Sequence, residues 1–137
     1  MDNLIHVAGT FLWNNDKFLI LKRHPAKSQG NTWGLPAGKV DTGETVTEAA
    51  RRELFEESGC DVPLEHFTQV LQMEDSPRPG ESFLFFAFEA KVDGPVLVQI
   101  SATEHIEYLW VTPEECYNRT DLIHGLHTVL ELVGYIK

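Results

Sequence analysis

The stretch Thr45-Val-Thr-Glu48 constrains this chain more than any other, because it carries the Ser/Thr-x-x-Glu pattern that starts a helix. Gly59 supplies a natural stop, since glycine accepts the left-handed conformation that follows a helix end. The spacing therefore predicts a helix over 46–58. On a wheel of about 100° per residue, with Val46 at 0°, Ala50 falls near 40°, Leu54 near 80° and Ala49 near 300°. Those residues make an apolar stripe wide enough to pack on a core. Glu53 falls near 340° and Glu57 near 20°, inside the stripe, and Glu56 near 280°, on its edge. An unpaired ionised carboxylate is not buried in an apolar face; it takes up a proton or finds a cation. Glu56 and Glu57 also crowd the helix C-terminus, the unfavourable end for negative charge. Two readings follow from the wheel. One is a hard divalent cation held by oxygen ligands, as Mg²⁺ is. The other is an exposed acidic turn neutralised by Arg51 and Arg52, with Arg52 in reach of Glu56 or Glu48.

The rest of the chain reads as strands and helices without strict alternation. Strands are predicted at about 4–13 and 17–23, joined as a hairpin through Asn14-Asn15-Asp16. Trp33 to Pro36 is a strand fragment. Further strands are predicted at 67–73, 83–92, 96–100 and 107–111. The Phe83 start of the fourth is apolar on nearly every residue, which suits a strand covered on both faces. Thr112-Pro113 starts a short helix, with Thr as N-cap and Pro at the first position. A last helix is predicted from Leu122 to Val133, stopped by Gly134. This order favours a mixed sheet with helices packed on it, in a single domain over residues 1–137.

Composition narrows the partners. Acids outnumber bases 21 to 11 in 137 residues, for a net charge of −10. A nucleic-acid duplex is repelled by such a surface. The imbalance sits in residues 61–137, leaving Lys22, Arg23, Lys27 and Lys39 in a nearly neutral first half, as a solvated face or a landing place for a small anion. The longest apolar run, Phe83 to Phe88, is too short to span a membrane. The first ten residues lack the basic start of a signal peptide. Cys60 and Cys116 then read as free, inert thiols in a reducing cytoplasm.

Residues 38–60, GKVDTGETVTEAARRELFEESGC, resemble the Nudix box, G-x5-E-x7-R-E-U-x-E-E-x-G-U, where U is a bulky apolar residue. Gly38, Glu44, Arg52, Glu53, Leu54, Glu56, Glu57 and Gly59 match with every spacing intact. Cys60 stands at the last U, and Ala37 where a second glycine is common. Trp33-Gly-Leu-Pro-Ala37 resembles the family's entry to the box. The resemblance implies an α/β/α sandwich around a mixed sheet, with the box forming loop–helix–loop. It implies a metal-dependent hydrolase that cleaves a nucleoside diphosphate linked to another moiety, with Mg²⁺ or Mn²⁺ and a water nucleophile. Carried over residue by residue, Glu53, Glu56, Glu57 and the Ala37 carbonyl are the metal ligands. Arg52 orients a carboxylate, Glu44 supports the loop, Gly38 permits a tight turn, Leu54 packs and Gly59 lets the chain leave the helix.

In the family the general base is a box glutamate or a glutamate on a later loop. The segment Ser101 to Trp110 resembles that later loop, and Glu104 is the first candidate, before Glu107 and Glu81. His105 reads as a structural, hydrogen-bonded histidine. Arg23 and Lys39 are candidates to hold phosphate oxygens. Phe83, Phe85 and Phe86 read as core first and as base-stacking residues second, and Trp33 as packing beneath the box. The expected substrate is a small nucleotide, first a (deoxy)nucleoside triphosphate yielding monophosphate and pyrophosphate. The alternatives are ADP-ribose or another nucleotide sugar, for which Pro77 or Pro79 is a hint, and a non-catalytic binder on the same fold. The working unit is expected to be a monomer or homodimer.

Overall fold

A computed structural model of the chain describes residues 4–76 and 79–137. Strand β1, Ile5–Asn14, turns through Asn15 into β2, Lys17–Arg23. Asn15 takes a φ of 59°, a left-handed value that asparagine tolerates. The two strands pair only at the turn, Trp13 with Phe18 and Asn14 with Lys17, and then part. Two short strands fill the opening. The first, β3 (Trp33–Gly34), pairs with β2 at Leu21 and Lys22. The second, β4 (Ala37–Lys39), pairs with β1 from Val7 to Gly9. The far edge of β1 runs parallel to β6, Phe83–Lys91, which pairs antiparallel with β5, Thr68–Asp75. The far edge of β2 pairs antiparallel with β7, His105–Val111.

Period-two alternation sends apolar residues to both faces. Ala8, Leu12, Leu19, Leu21, Phe86 and Phe88 pack under helix α1, Val46–Ser58, with its Ala49, Ala50 and Leu54. Phe11, Phe18, Ile20 and Ala87 face the other way, onto helices α2 (Pro113–Tyr117) and α3 (Leu126–Leu132). The result is the α/β/α sandwich with a mixed sheet that the box implied, and β6 is covered on both faces as its apolar run required.

Four expectations need correction. Residues 96–100 form no strand, because the end of α1 takes them up: Gln99 N–H bonds to the Ser58 carbonyl and Val98 drops into the α1 core. Helix α3 starts at Leu126 rather than 122, because Gly125 takes φ 91° and Leu122 bridges to Trp33. The start of the box, which the resemblance makes a loop with a tight turn at Gly38, is strand β4, Ala37–Lys39. Trp33 packs with the α3 face, under the Arg119 guanidinium at 5.0 Å, and not beneath the box helix. Pro77 lies outside the described residues, and Pro79 sits in the turn before β6. No described helix is long and apolar enough to cross a membrane.

Candidate active site

Helix α1 is anchored at its start by a reciprocal cap. Thr45 Oγ1 accepts from the Glu48 N–H at 3.1 Å, and the Glu48 carboxylate accepts from the Thr45 N–H at 2.8 Å. At its end Gly59, at φ 75°, donates its N–H to the Phe55 carbonyl at 2.8 Å. With Leu54 fully buried against β1 and β6, the rotation of the helix is fixed. That rotation carries Glu53 and Glu57 onto β4.

Glu57 is 7% exposed, the one buried carboxylate among the described residues. Its Oε1 accepts from the Ala37 N–H at 3.1 Å. Burial pushes its carboxyl up to about 10, and the adjoining Glu53 side chain adds to the rise. Gly38 lies in β4 opposite Ala8, not in a tight turn. It is glycine because a Cβ there would overlap the Glu53 carboxyl.

Arg52 gathers the remaining acids. Its Nε and Nη2 donate to the two oxygens of Glu44 at 2.8 and 3.0 Å, the forked geometry that suits a carboxylate. Nη1 donates to Glu53 at 2.8 Å and to Glu56 at 3.1 Å. Nη2 also donates to the Lys39 carbonyl at 3.0 Å, which ties the helix to the end of β4. The Arg52 hydrogen bonds hold the Glu44 carboxyl below its usual range, and those carboxylates raise the guanidinium in turn. Arg51 pairs with Asp61 and takes no part.

Among the described residues no three acids already converge as a closed cation cage. Glu56 is turned outward, its side chain 55% exposed, onto Arg52. Among the described residues Glu57 meets no basic side chain; the Ala37 N–H and the Glu53 carboxyl adjoin it. A buried carboxyl beside a second one, with a third within a turn, is a donor set of hard oxygens, and it fits a divalent cation.

Glu104 sits in the turn 101–104 before β7, where its N–H bonds to the Ser101 carbonyl and its own carbonyl takes the His24 N–H. Its carboxylate meets Lys27 Nζ at 3.4 Å and its charge bears on Glu57. Glu107 lies on β7, paired with Lys22 at 3.4 Å, and its charge is felt by Arg119 instead. Glu81 stands in the approach to β6. Between Glu104 and Glu107, it is Glu104 whose charge bears on Glu57. His105 is buried and its Nδ1 has no hydrogen-bond partner among the described residues, against the expectation of a bonded ring; burial holds its pKa below the ordinary range.

Arg23 is spent inside the loop 24–32, where Nε donates to the Ser28 carbonyl at 2.8 Å. Lys39 is exposed at the end of β4. Among the described residues neither side chain pairs with an acid of α1, which Arg52 engages instead. Both cysteines are buried and free, and burial pushes the Cys116 thiol up to about 12.

The sequence reading missed a second component. On the α3 face a cavity of about 220 Å³ opens between β6, β5 and the start of α3. Ala37 is one of its lining residues, so it adjoins the Glu53–Glu57 pair through a single peptide. Phe83 and Phe85 line it, whereas Phe86 is buried on the opposite face. The run of aromatics was the one signal for it, and aromatics in a strand ordinarily mean core.

Known proteins bear on this arrangement. The chain is 32% identical over 131 residues to human "8-oxo-dGDP phosphatase NUDT18"; the match takes in 93% of this chain but spans only 36% of that relative's length. The fold superposes on a MutT protein from Methanosarcina mazei Go1 with a TM-score of 0.83 at 25% identity, covering 95% of this chain and 92% of the other. It also superposes on an Ap4A hydrolase from C. elegans, TM-score 0.74 at 25% identity, with 94% of each chain covered. The NUDIX domain model matches residues 4–133, spanning the box, the sheet and the helices on both faces, and the chain belongs to that family.

Proposed function

We propose that this chain hydrolyses a phosphoanhydride bond of a (deoxy)nucleoside triphosphate, giving the monophosphate and pyrophosphate, with Mg²⁺ or Mn²⁺ as cofactor. The observation that carries the reading is the buried Glu57 carboxyl against Glu53, one peptide away from an apolar cavity. Phosphates then lie at the acids and the nucleoside in the cavity. The relatives support a nucleotide substrate, since one is named for 8-oxo-dGDP and another for Ap4A.

In this reading Glu53, Glu56, Glu57 and the Ala37 carbonyl would hold the cation, Glu56 after leaving Arg52. A divalent cation held there would supply charge neutralisation for the phosphate oxygens and a more acidic attacking water. Arg52 keeps the Glu53 carboxylate in place and, through Glu44 and the Lys39 carbonyl, locks the helix to β4. Glu104 takes the proton from the attacking water, and the phosphorus–oxygen bond to pyrophosphate breaks in line with that attack. Lys27, 3.4 Å from the Glu104 carboxylate, steadies its position. Lys39, exposed at the end of β4, supplies positive charge for the leaving group, and Arg23, held by the Ser28 carbonyl, does not.

A panel of nucleoside triphosphates, ADP-ribose and nucleotide sugars with Mg²⁺, read for the phosphate product formed, tests the substrate. Pyrophosphate from a triphosphate is the expected product. Turnover confined to ADP-ribose moves the chain to the sugar-nucleotide class, and no turnover leaves a binding module. The base is tested by Glu104→Gln beside Glu107→Gln in single turnover. Losing the base costs about 10²–10⁴-fold in rate. Glu104→Gln should lose that much and Glu107→Gln little; the reverse moves the base to Glu107, and two normal rates move it to Glu53.

A further inference from the structure

Strand β7 is an edge of the sheet: among the described residues it pairs with β2 and with no strand on its other side. Alternation tells which of its backbone groups are free. Arg23 turns its N–H and carbonyl away from β7, to the Thr32 carbonyl at 2.9 Å and the Asn31 N–H at 3.0 Å. Backbone groups along an antiparallel strand alternate between its two edges. Phe18, Ile20 and Lys22 therefore bond toward β7, where they face Val111, Leu109 and Glu107. That leaves the N–H and carbonyl groups of Tyr108 and Trp110 pointing outward, and among the described residues no other backbone group meets them.

The same stretch is apolar at its surface. Ile106, Tyr108 and Leu109 are 39%, 42% and 38% exposed, three of the six large hydrophobic side chains that stand in solvent among the described residues. The other three, Phe55, Leu97 and Leu132, are scattered singly. A free apolar edge is ordinarily blunted by lysine, proline or a bulge. Residues 105–111 hold neither lysine nor proline. The one register shift falls at the Lys22/Arg23 end, and 107–111 pairs regularly. The single acid in that run, Glu107, is met by Lys22 at 3.4 Å. The opposite edge, β5, ends instead in Glu74 and Asp75.

The run 107–111 is complementary to itself. Its midpoint is Leu109, and a two-fold axis there sets Tyr108 opposite Trp110 of a second copy. Each such pair exchanges two hydrogen bonds, four in all. Leu109 meets Leu109 of the second copy, and Glu107 meets Val111, so no acid lies directly opposite an acid. Aromatic and apolar pairs facing each other across strands favour the pairing.

We propose that the chain forms a symmetric homodimer through β7, which joins the two sheets edge to edge with Leu109 on the axis. A standard interface buries roughly 1,600 Å². One short edge supplies less, so the dimer is weak and reversible. Each copy carries a net charge of −10, and salt that screens this repulsion should strengthen the pairing. The dimer is independent of the nucleotide chemistry proposed above.

Sedimentation equilibrium of the full chain, at rising concentration in low and high salt, reads the association. Wild type should pass from monomer to dimer, at lower concentration in high salt. Leu109→Lys sets two like charges on the axis and should stay monomeric with little change in melting temperature. Leu109→Cys tests the register. Directly opposed residues of a non-hydrogen-bonded pair stand about 4.5 Å apart at Cα, within reach of a disulfide. Cys60 and Cys116 are buried and do not compete. With oxidised glutathione, Leu109→Cys should cross-link far faster than Leu97→Cys, which is exposed but off the edge. This pair carries the test if Leu109→Lys melts early. Wild type that stays monomeric to its solubility limit in high salt overturns the proposal. A dimer that survives Leu109→Lys, or equal cross-linking of the two cysteine variants, also overturns it, because either places the contact elsewhere.

Discussion

Glu57 concentrates the cost and the use of this fold in one side chain. Burial and the adjoining Glu53 carboxyl push its carboxyl up to about 10, against an ordinary value near 4.5. Between those limits the folded state keeps a proton that the unfolded chain has lost. Stability from this group is therefore complete below about pH 4.5 and is lost progressively as pH rises through the window. In EDTA at pH 8, Glu57→Gln should melt higher than wild type, because the amide fits the site uncharged. The same variant should lose activity by orders of magnitude if Glu57 holds the cation. Thermal melts in EDTA at pH 5 and pH 8, beside a turnover assay with Mg²⁺, check both halves. A variant that melts lower at pH 8 contradicts the burial argument, and a fully active one contradicts the metal role. The acids on the buried face were visible from helical periodicity alone. The cavity on the α3 face was not, because its walls come from distant segments and no local pattern joins them.

Among the elements, α1 shows best how far local rules reach. Its bounds, 46–58, follow from the capping box and Gly59, and the structure keeps both. Helix α3 and the stretch 96–100 show where such rules stop. Their apolar residues are real, but the end of α1 takes up 96–100 and Gly125 sets the start of α3, and only the assembled fold decides either. For α1, Thr45→Ala removes a bond to an orphan N–H and should cost about 1 kcal/mol. Gly38→Ala should behave differently, since its Cβ displaces the Glu53 carboxyl rather than the helix. Thr45→Ala should lower the melting temperature with kcat nearly unchanged. Gly38→Ala should lower kcat far more than its effect on melting explains. Equal effects of both variants on kcat would show that Glu53 tolerates displacement.

At the scale of the molecule, a cation held by the acids of α1, as proposed, would couple folding to cation binding. A cation that binds only the folded state adds roughly 2.7 kcal/mol at 100 times its dissociation constant. Titrating Mg²⁺ or Mn²⁺ into the protein in EDTA-treated buffer should raise the melting temperature, with more gain at higher pH because Glu57 must release its proton. An unchanged melting temperature at millimolar cation at pH 8 would show that the site forms only with substrate.

The parting of β1 and β2 has one more consequence, which concerns chain length. The seven residues from Trp33 to Lys39 cross that gap as a strap, buried under α3 at one end and touching α1 at the other. Side chains in a strand alternate between faces, so one inserted residue exchanges the two. An insertion between Leu35 and Ala37 would turn the Ala37 N–H away from Glu57 while leaving every other strand paired. The loop 24–31, by contrast, hangs outside the sheet and can lengthen at small entropic cost. The spacing between Trp33 and Gly38 therefore acts as a ruler that keeps the cavity on one face in step with the acids on the other.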